Sequence, residues 1–288
     1  MTQDYVFIVG AMKSGTTTLF DILARHPAIA PASDKEPGWF AFPEVRERGQ
    51  DWYDGLFDET AATVWRLEAS TDYSKAPFVT GVWERMRAAV PGRIRLLYLM
   101  RHPLRRIESH ARHVQVARKE LGQRISPRPD HGLDAGISEV NMAAARYAAQ
   151  LDAYPEAWAA GDILCLTLEE LQSDPDAALA RVYAFLGLPP GETELQRSNA
   201  AENRTRTHPA WRLLSRLGPL MAAGRALLPR ALRETIKGRM RQKVTAEGRF
   251  RLTGDEETRL LEELRPDLRR LRDHYGVDIE RWWGIAVD

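Results

Sequence analysis

Cysteine is almost absent from this chain of 288 residues, and the single Cys165 excludes an internal disulfide and any metal site built from several thiolates. It sits in the apolar run Ile163-Leu164-Cys165-Leu166 and reads as a buried strand residue. Long hydrophobic runs are also missing, since none reaches the roughly 20 residues that cross a bilayer as a helix. No HxxxH pair, CxxC or dense aspartate group offers metal-ligand spacing, so no metal is expected. Net charge is close to balance, +1 at pH 7, and gives no case for nucleic-acid binding. Lysine is scarce: of 41 basic residues, only Lys13, Lys35, Lys75, Lys119, Lys237 and Lys243 are lysines. A strand-like run begins at Tyr5, which leaves no room for a signal peptide; a reduced, cytoplasmic protein is the expectation.

Hydrophobic residues make up 44% and charged residues 28%, enough for a large core in a globular chain. Strand-like runs recur at about 5–10, 63–68, 94–101 and 162–168, separated by helical stretches. That alternation predicts a single α/β domain over 1–288, a three-layer fold with a mostly parallel sheet flanked by helices and ligands at the strands' carboxyl ends. Residues 138–160 read as one helix, and Asp174-Pro175 opens another that runs to Gly187. Residues 119–136, with Pro127, Pro129, Gly132 and Gly136, read as a long loop. Thr253-Gly254-Asp255-Glu256 is a capping-box pattern ahead of a helix carrying Leu260, Leu261, Leu264, Leu268 and Leu271. The segment 211–251 holds eleven Arg or Lys against Glu234 and Glu247, with apolar residues interleaved. Two readings stand for it: a solvated helical face, or an insertion or lid that faces an anionic acceptor or makes peripheral membrane contact.

Two elements carry chemistry. In Tyr5-Val6-Phe7-Ile8-Val9-Gly10-Ala11-Met12-Lys13-Ser14-Gly15-Thr16-Thr17, a strand ends at Gly10, a glycine-bracketed loop follows, and a helix starts. Free N–H groups and the positive end of the helix dipole converge there, which makes an anion cradle. The loop is P-loop-like, yet Thr16 follows Gly15 where a nucleoside-triphosphate P-loop needs lysine, and the lysine stands earlier, at Lys13. In the second element, Arg95 to His110, a strand runs out at Arg101, Pro103 opens a helix, and Ser109 lies about two turns in. An arginine fork with a hydroxyl suits a second phosphate.

Together these elements resemble the sulfotransferases that use 3′-phosphoadenosine 5′-phosphosulfate (PAPS), closest in flavour to the carbohydrate, heparan-type branch. The resemblance continues through Lys35-Glu36-Pro37-Gly38-Trp39-Phe40, Leu166-Thr167-Leu168-Glu169-Glu170-Leu171, Phe185-Leu186-Gly187-Leu188-Pro189 and Leu271-Arg272-Asp273-His274-Tyr275-Gly276. It implies a metal-independent, in-line transfer of a sulfuryl group to a hydroxyl or amine of a carbohydrate or small molecule. The product nucleotide would be 3′,5′-adenosine bisphosphate. By this resemblance Lys13, Ser14, Gly15, Thr16 and Thr17 hold the 5′-phosphosulfate, while Arg101 and Ser109 hold the 3′-phosphate. Arg204 and Arg206 match a late basic loop that closes over that phosphate; a hydrated basic turn is the competing reading.

Glu36 matches the family's proposed base, and Lys13 would stabilise the leaving phosphate. Glu36 also reads as a surface carboxylate paired with Lys35. His26 reads as a helix-terminal cap, His110 and His113 as solvated or capping residues, and Trp39 and Phe40 as buried packing. Two positions depart from the family pattern: Ala69 stands where many members carry lysine, and Gly38 where some carry histidine. Two rivals remain, a P-loop kinase-like enzyme that needs magnesium and ATP, and a nucleotide-binding protein without turnover. The oligomeric state and the acceptor are not legible.

Overall fold

The structure, a computed structural model, describes residues 3–121, 137–191, 205–207, 241–243 and 250–288. The chain packs as two compact units, 1–195 with 250–288, and 196–249. In chain order the first unit runs β1 (Asp4–Gly10), α1 (Thr16–Leu23), β2 (Ile29–Pro31), α2 (Pro43–Arg46), α3 (Gln50–Asp54) and β3 (Trp65–Ala69). A 3₁₀ turn (Thr71–Ser74) then leads to α4 (Val82–Ala89), β4 (Ile94–Met100), α5 (Pro103–Leu121), α6 (Glu139–Ala143), α7 (Tyr147–Leu151) and α8 (Pro155–Ala159). β5 (Ile163–Thr167), α9 (Leu168–Ser173) and α10 (Pro175–Leu186) follow. In the second unit β6 (Thr205–Thr207) pairs antiparallel with β7 (Arg241–Lys243). The first unit closes with α11 (Gly254–Asp273) and α12 (Ile279–Trp283).

The sheet order is β2-β3-β1-β4-β5, and every pair is parallel. Parallel strands need both faces covered, and the central strands show it by alternation. Tyr5, Phe7 and Val9 of β1 join Leu96, Tyr98 and Met100 of β4 in one core. Val6 and Ile8 join Leu97 and Leu99 in the core on the opposite face. Leu260, Leu264, Leu268 and Leu271 of α11 close the first face; α1 and α10 close the second. The three-layer α/β architecture expected from the sequence is what forms.

β2 escapes a sequence reading because it is three residues long and ends in Pro31, a residue tolerated only on a sheet edge. The single helix expected over 138–160 is instead α6, α7 and α8. Pro155 disfavours helical backbone at Tyr154, which sits at φ −131°, ψ 50°. The earlier break is set from far away. Asp267 of α11 accepts hydrogen bonds from the Ala148 and Ala149 N–H groups at 3.1 and 2.9 Å, so a new helix start is capped by a buried carboxylate. Gln150 donates to the Ala143 carbonyl at 2.9 Å, which also accepts from the Arg146 N–H at 3.0 Å, and pairs both ways with the Ala76 backbone. The capping box at Thr253 and Glu256 forms as its sequence predicts. Among the described residues no helix is long and apolar enough to cross a membrane. Most of the basic segment 211–251 lies outside the described residues.

Asp267→Ala should lower the stability of the first unit by about 1–2 kcal/mol, the usual cost of a lost helix cap. Urea unfolding followed by circular dichroism reads this directly. An unchanged midpoint would show that α7 does not depend on its distant cap.

Candidate active site

The loop after β1 is shaped by close approach. A Cβ at Gly10 would meet Ser74 Oγ at 2.1 Å and Tyr98 Cε2 at 2.5 Å, so only glycine lets the strand end against β4 and the 3₁₀ turn. The β1–β4 register slips between Ile8 and Gly10, and the Ala11 N–H then bonds the Leu99 carbonyl at 2.6 Å. Gly15, at φ 94°, caps α1 with no side-chain hydrogen bond, and a Cβ there would lie 2.7 Å from Leu168 Cδ1. The Ser14 N–H is engaged by the Ala11 carbonyl at 3.2 Å. The N–H groups of Gly15, Thr16 and Thr17 have no acceptor among the described residues. Three open donors at a helix start form a cradle for a tetrahedral anion.

Arg101 follows β4 directly, beside that cradle. Tyr147 donates to its carbonyl at 2.6 Å, and Glu169 accepts from the next N–H, that of His102, at 3.1 Å. The other Glu169 oxygen accepts from the Trp283 indole at 3.0 Å. The backbone on both sides of the Arg101–His102 peptide is therefore held, while the Arg101 guanidinium has no ion-pair partner among the described residues. Ser109, on α5, is buried.

The segment after β2 is drawn to the same cradle. Lys35 Nζ donates to Thr17 Oγ1 at 2.7 Å and lies 3.5 Å from Glu36 Oε1, so one ammonium joins the first turn of α1 to the Glu36 carboxylate. Both sequence readings of Glu36 thus meet in one geometry: it pairs with Lys35, and that pair sits on the loop. Among the described residues, Lys13 (φ 70°) and Glu36 (φ 62°) are the non-glycine residues with left-handed backbone. Such a conformation costs on the order of 1–3 kcal/mol and persists where surroundings impose it. Trp39 and Phe40 are buried, as expected, with Trp39 stacked on Tyr53 at 4.4 Å. His26 caps locally: its Nδ1 accepts from the Ala28 N–H at 3.1 Å.

His110 departs from its sequence reading. The ring is not solvated but buried, and neither nitrogen finds a partner. Burial, then the charges of Arg106, His113, Lys75 and Lys13, push its pKa down to about 3. Those charges place His110 near both Lys13 and Lys75, the latter bonded to Asp72 at 2.6 Å. Arg106, fully buried, donates to the Asn141 carbonyl and side chain. Cys165, read from the sequence as buried, is half-buried on β5, and the surrounding protein pushes its thiol pKa up to about 12.

Arg206 lies in β6, opposite Gln242, and Arg204 falls outside the described residues. A cavity of about 260 Å³ opens where His102, Arg105, Leu261 and Trp283 meet; no residue of the loop 13–17 lines it, so it is not the cradle. Among the described residues no group of three His, Cys, Asp or Glu could hold a metal ion.

His110 takes up its proton near 6.5 when unfolded and near 3 when folded. Between those values the unfolded chain binds more protons, so stability falls as pH drops through the window, by up to about 1.4 kcal/mol per unit. In His110→Gln the slope of urea stability against pH should flatten by up to about one proton below pH 6.5. An unchanged slope would place the ring in water.

The comparisons with known proteins agree with this geometry. The sulfotransferase domain family matches residues 3–216. Heparan sulfate glucosamine 3-O-sulfotransferase 6 of Homo sapiens is 31% identical over 188 residues, covering 63% of this chain and 51% of that protein. Heparan sulfate glucosamine 3-O-sulfotransferase 3A1 of Mus musculus is 29% identical over 195 residues, covering 63% and 45%. The chain spans about half the length of these curated relatives. In fold it is similar to a solved sulfotransferase from Alicyclobacillus acidocaldarius, with a TM-score of 0.62, 22% identity and coverage of 98% and 99%. Strand, loop and arginine element all lie within the matched stretch, and the chain belongs to the sulfotransferase domain family.

Proposed function

We propose that this chain transfers a sulfuryl group from PAPS to a hydroxyl of a carbohydrate acceptor, without a metal. The observation that carries the reading is the pairing of strain with chemistry. The non-glycine residues in left-handed backbone among the described residues, Lys13 and Glu36, are the two that the reaction needs as phosphate stabiliser and base. The residues fit the donor: among the described residues, three N–H groups at the cradle have no acceptor and the Arg101 guanidinium at the end of the neighbouring strand has no ion-pair partner. The curated relatives are named for glucosamine of heparan sulfate, which supports an amino-sugar unit as the acceptor class.

The chemistry then divides among the chain's own groups. Gly15, Thr16 and Thr17 present N–H donors to the 5′-phosphate, and Lys13 meets the charge that grows there as the S–O bond to the phosphate breaks. Glu36 takes the acceptor's proton as the new O–S bond forms, and Lys35 holds Glu36 beside the loop through Thr17. Arg101 and Ser109 grip the 3′-phosphate that marks the donor.

Arg101→Ala should weaken 3′,5′-adenosine bisphosphate by about 10- to 100-fold, the size of a lost charge-assisted pair, with 5′-AMP unaffected. Calorimetric titration of both nucleotides, and of ATP with magnesium, checks this. Preference for ATP with magnesium would favour the kinase-like rival. Lys13→Ala should lower kcat for transfer from PAPS by about 10²–10³-fold. Bisphosphate binding with no transfer to any acceptor, or to water, would favour the non-catalytic rival.

A further inference from the structure

A left-handed Glu36 must be held from both sides, and only one hold touches the donor loop. Lys35 anchors the amino-terminal side through Thr17. On the other side the Gly38 N–H donates to Ser70 Oγ at 3.0 Å. A hydroxyl has a single proton, and Ser70 gives it to Glu68 Oε1 at 2.7 Å, so its lone pair is left to accept from Gly38. Glu68 thus sets the polarity of the link. Its carboxylate is wholly buried at the end of β3 and carries no ion pair among the described residues. Tyr53 donates to its second oxygen. Two further bonds fasten the same stretch: Phe40 N–H to the Tyr73 hydroxyl at 3.2 Å, and Arg85 to the Phe40 carbonyl at 2.6 Å.

A buried carboxylate without a cation is costly, and packing alone would favour an apolar residue here. Burial raises the Glu68 pKa, opposed by the hydroxyls of Tyr53, Tyr73 and Ser70. What Glu68 does that a leucine could not is to orient Ser70. We infer that Glu68 and Ser70 are positioning residues for Glu36: they fix the Gly38 amide, hold the turn in its left-handed form, and so aim the Glu36 carboxylate at the acceptor. This rests on the reading of Glu36 as the base.

The test is a double-mutant cycle on the full chain, with PAPS as donor and heparan sulfate oligosaccharide or water, whichever turns over faster, as acceptor. Ser70→Ala should lower kcat by about tenfold or more while leaving the Kd for 3′,5′-adenosine bisphosphate within about twofold, because only the base is displaced. In a Glu36→Gln background the same change should cost less than about twofold, since residues that act as a unit are not additive. Glu68→Leu, which removes the acceptor of the Ser70 hydroxyl, should behave as Ser70→Ala does. Amide hydrogen exchange at Gly38 should be protected in the parent and fast in Ser70→Ala, independent of any activity. Equal losses in both backgrounds, or an unchanged kcat, would overturn the inference. Failure of the parent reading looks different: Glu36→Gln alone would leave kcat intact, or the parent chain would not bind the bisphosphate.

Discussion

The site depends first on the parallel pairing of β1 with β4. Parallel neighbours end on the same edge, so the loop after Gly10 and the arginine after Met100 emerge side by side. The bond from the Ala11 N–H to the Leu99 carbonyl, just past the slip in register, holds the two exits together. One strand then delivers open N–H donors on a helix start and the other a guanidinium. Their separation is set by the sheet and not by loops, which gives the phosphates of one nucleotide two fixed points to span.

Around this rigid edge the chain stores strain where chemistry is assigned. Lys13 and Glu36 sit in backbone that non-glycine residues seldom adopt, and Glu36 is held on either side by the Lys35–Thr17 and Gly38–Ser70 bonds. Glycine serves close approach on the same edge, with Gly10 against Ser74 and Tyr98 and Gly15 against Leu168. Acidic groups complete the support: buried Glu68 orients the Ser70 hydroxyl that accepts from the Gly38 N–H, while half-buried Glu169 and buried Asp267 accept directly from backbone of other elements. Such acids are costly in a core unless fully used, and their positions mark where the fold trades stability for orientation.

What could be read from the sequence was local. The run Tyr5 to Thr17 declares strand, loop and helix through contiguous apolar residues and glycine spacing, and Arg101 to Ser109 declares a strand exit and helix through Pro103. The capping box at Thr253 was legible for the same reason. The break before α7 was not, because the start of that helix is fixed by Asp267, more than a hundred positions away, whereas the later break carries its own local mark in Pro155. His110 reads as solvated or capping in the sequence and lies buried, because the packing around α5 that covers it is not a local property of the chain. The link from Lys35 to Thr17 likewise needs the fold to bring two loops together.

The central claim is that one nucleotide spans the exits of β1 and β4. A crystal structure of the chain with 3′,5′-adenosine bisphosphate tests it most directly. The expected result places the 5′-phosphate on the N–H groups of Gly15, Thr16 and Thr17 with Lys13 beside it, and the 3′-phosphate on Arg101 and Ser109. A nucleotide seated instead in the cavity by His102 and Trp283, or with its 3′-phosphate away from Arg101, would contradict the account.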